Sequence, residues 1–127
     1  MYPGRLSEHF ERWEFACPCG CGKDTVDAEL IKVLEDLRAR LGGHKITVSS
    51  GCRCVLWNAT KEVGGSVGSK HIVGKAADIV VENVSADIVA DCMDDKYPGR
   101  YGIGRYDWGT HIDVRVVEAR WDKRNYG

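Results

Sequence analysis

The sequence predicts an α+β fold with a small, mostly antiparallel sheet and flanking helices. Amphipathic helical patterns alternate with short β-branched segments, and most connections are too short to hold crossover helices. The 127 residues can bury a core of their own, and the 43% hydrophobic and 29% charged contents are typical of a globular protein. We therefore expect a single domain over residues 1–127.

The first half of the chain predicts one long helix, one strand and one short helix. Aromatic residues near the N-terminus are expected to pack on the domain; they are Phe10, Trp13 and Phe15. A helix capped by Thr25 or Asp27 runs to about Leu41, because apolar residues recur at i, i+3, i+4 and i+7. The β-branched segment 46–49 predicts a strand, and a shorter helix is expected over residues 54–62.

The second half of the chain predicts a glycine-rich loop, three strands and one helix. Residues 64–74 contain four glycines, which indicates a long ordered loop. Ser85 is expected to cap a helix that runs from Ala86 to about Met93. The predicted strands are residues 76–81, 101–105 and 110–117, the last two joined by a turn.

Composition argues against several classes of protein. A formal net charge of −1 is not typical of nucleic-acid binding, and we interpret the basic cluster Arg120, Lys123 and Arg124 as a solvated tail. No segment approaches the ~18 apolar residues of a membrane span. The first residues lack the apolar core of a secretory signal, so we expect synthesis in the cytoplasm.

Five of the six cysteines form two tight clusters. Cys17, Cys19 and Cys21 make up a C-x-C-x-C pattern, and Cys52 and Cys54 form the second cluster. The pattern is not a standard structural zinc motif. Three interpretations stay open: a disulfide between the clusters, an unusual thiolate metal site, or reduced buried thiols. The sixth, Cys92, is interpreted as a small core residue.

His71, Asp78 and His111 form a candidate metal-binding set. Two imidazoles and one carboxylate suit Zn²⁺, and three protein ligands leave the fourth tetrahedral position for water. Asp78 lies within an apolar strand, where a carboxylate must be paired or bound to metal. Strand alternation puts His111, Asp113 and Arg115 on one face. The alternatives are a solvent-facing Asp78 and a purely structural His111.

Several motifs resemble those of the M15 peptidases, which are zinc D-Ala-D-Ala carboxypeptidases and peptidoglycan endopeptidases, many of them phage-encoded. The matching residues are Ser50-Gly51-Cys52-Arg53, Asn58, Gly64-Gly65, Ser69-Lys70-His71, Gly74-Lys75-Ala76-Ala77-Asp78, Gly102-Ile103-Gly104 and His111-Ile112-Asp113-Val114-Arg115. The resemblance covers roughly residues 7–124. It implies the compact α+β fold that DD-peptidases share with the zinc-binding part of Hedgehog signalling domains.

The resemblance also implies roles for individual residues. His71, Asp78 and His111 correspond to the ligands of one catalytic Zn²⁺, and Arg53 to the guanidinium that binds the substrate carboxylate or the developing oxyanion. Several members carry Glu or Asp three residues before the last histidine, where this chain has Trp108. The remaining candidates for the general base are Asp107 and Asp113. We expect Asp107 to act as the base and Asp113 to orient an imidazole.

The function that the resemblance implies is zinc-dependent hydrolysis of an amide bond in peptidoglycan stem peptides. The expected protein is a monomer that acts on the cell wall, with release through a phage holin as one route. The expected apolar walls of its groove are Trp57, Tyr106 and Trp108. Two alternatives are a non-catalytic, zinc-stabilised binding module of the Hedgehog type and a cysteine-cluster metal or redox protein. The bond cleaved and the phage or bacterial origin stay open.

Overall fold

A five-stranded sheet forms the centre of the structure, a computed structural model that describes residues 4–66 and 68–124. The strands are β1 (Ile46–Ser50), β2 (Ala76–Val81), β3 (Gly102–Arg105), β4 (Thr110–Asp113) and β5 (Ala119–Asp122). The helices are α1 (Ala28–Arg40), α2 (Val55–Asn58) and α3 (Ala86–Lys96), preceded by a 3₁₀ helix at Arg12–Phe15.

The strand order is β1-β2-β4-β3-β5, and every pairing is antiparallel except the parallel pair β3–β5. This arrangement confirms the predicted α+β class and the mostly antiparallel sheet. Among the described residues, no helix is long and apolar enough to cross a membrane.

The two faces of the sheet differ in chemistry, because side chains alternate along each strand. Ile79 of β2, Ile103 of β3 and Ile112 of β4 belong to the hydrophobic core that also includes residues of α1 and α3. Asp78 and His111 have the opposite parity in their strands and are directly paired in register. The core therefore supports one face of the sheet, and the candidate site lies on the other.

Local signals determine where both long helices begin. The Asp27 side chain accepts a hydrogen bond from the Glu29 backbone N–H at 2.8 Å, and Ser85 caps α3 through the Ile88 N–H at 3.3 Å. The predicted caps are confirmed for both elements, with Asp27 rather than Thr25 serving α1. The buried face of α1 consists of Leu30, Ile31, Val33, Leu34 and Leu37.

Several sequence predictions are wrong at the level of single elements. Phe10 and Phe15 are buried as expected, but Trp13 is 73% exposed. The second helix is one turn, Val55–Asn58, because its C-cap at Ala59 leads directly into turns rather than continuing to residue 62. Strand β4 ends at Asp113 instead of residue 117: one further bond in the same register joins the Val114 N–H to the Lys75 carbonyl, and the chain then leaves the sheet.

The interpretation of the C-terminal basic cluster as a solvated tail is also wrong. Arg120 lies in β5, which pairs with β3. Its guanidinium donates to the Asp94 carboxylate at 2.6 Å and to the carbonyls of Tyr97, Arg100 and Tyr101 at 2.7–2.9 Å. These bonds secure the last strand to the C-terminal end of α3.

Candidate metal centre

His71, Asp78 and His111 come together where the glycine-rich loop meets β2 and β4. All three are buried, and their candidate ligand atoms lie within 4.8 Å of one another. The distance to the Asp78 carboxylate Oδ1 is 3.3 Å from His71 Nε2 and 2.9 Å from His111 Nδ1. Zn–N and Zn–O bonds of ~2.0–2.1 Å put tetrahedral ligand atoms about 3.3 Å apart, so the spacing fits one ion. The alternative of a solvent-facing Asp78 is excluded by its 8% exposure.

The outer hydrogen bonds of the two imidazoles fix which nitrogen faces the site. His71 Nδ1 donates to the Gly51 carbonyl at 2.7 Å, and His111 Nε2 donates to Asp113 Oδ2 at 2.7 Å. In a neutral imidazole the remaining nitrogen carries the lone pair. In these tautomers His71 Nε2 and His111 Nδ1 face the Asp78 carboxylate as electron-pair donors, an arrangement that suits a shared cation.

Electrostatics of the site favour a bound cation. Burial opposes ionisation of Asp78, but the close imidazoles of His111 and His71 outweigh it and hold the pKa of the carboxyl well below its usual range. Burial would lower the pKa of His111, but the carboxylates of Asp113 and Asp78 outweigh it and raise the pKa. Two carboxylates thus attract positive charge to His111, and either a proton or a metal ion satisfies them.

Asp113 connects His111 to Arg115. Its carboxylate is fully buried and accepts two bonds from the Arg115 guanidinium, each at 2.7 Å, besides the bond from His111. A Cβ atom at Gly102 would lie 2.4 Å from Asp113 Oδ2, so only glycine leaves room for this carboxylate. The expected position of Asp113 beside an imidazole matches this geometry. Arg115 lies beyond the end of β4 and contacts Asp113 from there.

Arg53 pairs with Oδ2 of Asp78, whereas the two histidines lie close to Oδ1. Its guanidinium donates to Asp78 Oδ2 at 3.3 Å, to Asn58 Oδ1 at 3.2 Å and to Ser50 Oγ at 3.1 Å. Asn58 is buried and also donates to the Ser66 carbonyl at 2.8 Å. A Cβ at Gly65 would lie 2.0 Å from Asn58 Oδ1, so the paired glycines allow this loop to approach α2 closely.

An open cleft of about 550 Å³ lies above the three donors. Arg53, His71, Asp78 and His111 line its floor, and the aromatic lining residues are Tyr106, Trp108 and Trp121. Four basic residues also line it: Arg53, Lys70, Arg115 and Lys123. Asp78 is the one acidic residue among the described lining residues, so the cleft favours an anionic ligand.

Comparison with protein families agrees with this geometry. A family model described as Peptidase M15 matches residues 8–113. The chain belongs to the Peptidase M15 family. A search of curated proteins gives no significant match. Family membership confirms the resemblance drawn from the sequence motifs and supports a peptidase function. The match includes all three candidate metal donors of this M15 chain.

The remaining sequence-predicted site residues divide between the cleft and the surface around it. Asp107 is exposed on the turn between β3 and β4, and it is not among the described residues that line the cleft. Its neighbours Tyr106 and Trp108 do line the cleft, with their rings stacked at 4.9 Å. Trp57 is not among the lining residues. Two of the three aromatic residues that were predicted to line the cleft of this M15 chain therefore do so.

Sequence reasoning missed Trp121 as a cleft residue. Its ring centroid lies 4.9 Å from that of His111, and its indole N–H donates to the Tyr106 hydroxyl at 2.8 Å. A Cβ at Gly104 would lie 2.4 Å from this ring. The Gly-x-Gly of β3 was the available signal, because a glycine inside a strand often marks a close approach of another group.

Proposed function

We propose that this M15 protein is a zinc-dependent peptidase that hydrolyses an amide bond in peptidoglycan stem peptides. The observation that carries the proposal is the convergence of His71 Nε2, the Asp78 carboxylate and His111 Nδ1 at the base of an open cleft. Two nitrogens and one carboxylate oxygen are a typical catalytic zinc set that leaves one coordination position for water or substrate. We also propose the DD-peptidase and Hedgehog type of fold, and a monomeric protein.

Each residue at the cleft has a part in the proposed reaction. A Zn²⁺ held by the three donors would polarise the scissile carbonyl and lower the pKa of water at the site. Arg53 would orient the substrate through a carboxylate or stabilise charge on the carbonyl oxygen, since its guanidinium lines the cleft beside Asp78. Asp113 would keep His111 in the tautomer that presents Nδ1.

Asp107 is the proposed general base, which would accept a proton from water and pass it to the leaving amine. This role requires the β3–β4 turn to direct the carboxylate into the cleft when substrate binds. Tyr106 and Trp108 flank Asp107 and line the cleft, so a substrate that contacts these rings also contacts the turn.

The charge of the cleft supports an acidic peptide as the substrate. Lys70, Arg115 and Lys123 surround the floor in addition to Arg53. Peptidoglycan stem peptides carry free carboxylates, which such a cleft attracts. The exposed Trp108 ring, 50% accessible, offers an apolar surface for the peptide backbone or alanine methyl groups.

One observation favours a second candidate, the non-catalytic zinc-stabilised module. Asp107 is exposed and outside the described cleft lining, so among the described residues the ion-paired Asp113 is the one other carboxylate beside the donors. Hydrolysis assays separate the two candidates directly.

The test is mass spectrometry of muropeptides after digestion with the zinc-loaded protein, with and without a chelator. We expect new products that disappear with chelator and return with Zn²⁺. Asp107→Asn should keep its zinc and lose about 100-fold in rate, whereas the matched change Asp91→Asn on α3 should have no effect. Absence of any cleavage by the zinc-loaded protein would contradict the peptidase proposal. Full activity of Asp107→Asn would contradict the base assignment alone.

A further inference from the structure

Four cysteines form a second convergent cluster, apart from the His71, Asp78 and His111 centre. The sulfur atoms of Cys17, Cys19, Cys21 and Cys54 all lie within 4.8 Å of one another. Cys19 Sγ is 3.4 Å from Cys17 Sγ and 3.6 Å from Cys54 Sγ. The C-x-C-x-C loop and the segment that precedes α2 thus meet at one point, although they are more than thirty residues apart in sequence.

These distances fit a tetrahedral tetrathiolate ion better than a disulfide. A disulfide needs sulfurs at ~2.05 Å, far closer than any pair here. Four Zn–S bonds of ~2.3 Å in tetrahedral geometry place the sulfurs about 3.8 Å apart. The closest sulfur pairs, at 3.4 and 3.6 Å, lie near that value. Four soft ligands around one point are typical of a structural zinc site, and they leave no position for a substrate.

The backbone around the cluster supports bound thiolates. The Cys54 N–H points at Cys17 Sγ and the Trp57 N–H at Cys54 Sγ, each at 3.4 Å. Gly20 and Gly22 have φ values of 82° and 89°, so they allow the tight turns that bring alternate cysteines to one side. Backbone donors aimed at sulfur stabilise negative charge there.

The other two cysteines are separate from this cluster. Cys52 is 1% exposed and is not among the converging sulfurs, even though it lies in the same segment as Cys54. Cys92 is on α3 and packs against the hydrophobic core. Four of the six cysteines therefore converge on one point, and the other two pack elsewhere. This division argues against the interpretation that the clustered cysteines are simply reduced, buried thiols.

We propose that Cys17, Cys19, Cys21 and Cys54 bind a second, structural Zn²⁺ that ties the N-terminal segment to the segment before α2. This second segment carries Gly51, whose carbonyl accepts from His71, and Arg53, whose backbone N–H donates to the His71 carbonyl at 3.0 Å. The structural ion therefore holds two supports of the candidate metal centre in place. The proposal does not depend on peptidase activity.

Metal stoichiometry tests the proposal. The protein is purified under reducing conditions and its zinc is measured by mass spectrometry. We expect two Zn²⁺ per chain for the wild type and for Cys92→Ser, and one for the double variant Cys19→Ser/Cys21→Ser, whose two replaced side chains are exposed. His71→Ala should also retain one Zn²⁺, and that ion should remain bound through the cysteines.

Cobalt substitution gives a spectroscopic test that does not need the double cysteine variant to fold. The Co²⁺-loaded protein should show strong thiolate-to-cobalt charge-transfer absorption that persists in His71→Ala. Addition of an organomercurial should release one metal ion per chain while it titrates the thiols. One zinc per chain in both the wild type and the double cysteine variant would overturn the proposal. Cobalt binding without thiolate absorption, or a disulfide within the cluster after reducing purification, would also overturn it.

Discussion

Replacement of Asp113 by asparagine tests how the candidate metal centre controls His111. The Asp113 carboxylate is fully buried and accepts bonds from His111 Nε2 and from two nitrogens of Arg115, all at 2.7 Å. An asparagine side chain has nearly the same shape but only one oxygen. Its NH₂ group must therefore face a donor of Arg115 or of His111, and one of these bonds is lost.

The expected loss falls on metal affinity. Partners that orient a metal-bound histidine are worth about 10–100-fold in affinity, which equals about 1.4–2.7 kcal/mol. The pKa of His111 should also fall, because Asp113 is one of the groups that raise it against burial. A less basic imidazole is a weaker zinc ligand, so both effects act in the same direction.

The assay is competition for Zn²⁺ with a chromophoric chelator, in the Cys19→Ser/Cys21→Ser background that isolates this centre. Asp91→Asn is the matched control, since its carboxylate is 66% exposed and pairs with Arg105 away from the cleft. Gly102→Ala should act like Asp113→Asn, because the added methyl group displaces the same carboxylate. Unchanged zinc affinity in a folded Asp113→Asn protein would refute the reasoning.

Three further changes test the surroundings of the centre. Arg53→Lys should raise KM about tenfold or more with zinc content unchanged, because a lysine cannot reproduce the forked contacts. An unchanged KM in steady-state kinetics would contradict the proposed role of Arg53 in substrate binding. Gly104→Ala should lower the free energy of unfolding in urea by about 1–3 kcal/mol, since its Cβ overlaps the Trp121 ring; full stability would show that the ring can move freely. Asp94→Asn should destabilise the protein by about 1 kcal/mol or less at pH 7, as the partly exposed ion pairs of Asp94 with Arg105 and Arg120 are screened by solvent. Burial opposes ionisation of Asp94, but its arginine partners outweigh burial and hold its pKa below the ordinary value. The stability difference between wild type and variant should therefore be present above about pH 3.9 and vanish as the pH falls further. A stability difference that grows in acid would contradict this pH dependence.

Local sequence signals predicted the elements that depend on them. Strand β2 occupies Ala76–Val81 as predicted, because its β-branched half, residues 79–81, is followed by a polar turn. Helix α1 follows its apolar periodicity and its Asp27 cap. Strand β5 was missed because its pairing with β3 and the contacts of Arg120 are tertiary, and its half-exposed residues show no alternation. Trp13 was misplaced because hydrophobicity alone does not say which aromatic ring faces the core.

Part of the candidate site could also be predicted from the sequence, because it depends on local signals. Donor chemistry and motif spacing singled out His71, Asp78 and His111, and the period of two in β4 put His111 and Asp113 on one face. The choice of ligand nitrogen was not predictable, since it depends on the Gly51 carbonyl, a backbone group twenty residues from His71 in the chain. The convergence of the cysteine clusters likewise depends on chain packing.

Anomalous X-ray scattering at the zinc absorption edge, from crystals of the zinc-loaded protein, tests the central claim most directly. The account predicts a peak ~2.0–2.2 Å from His71 Nε2, an Asp78 carboxylate oxygen and His111 Nδ1, with His111 Nε2 still bonded to Asp113. Absence of a peak among these three residues, or an ion bound through His111 Nε2, would contradict it.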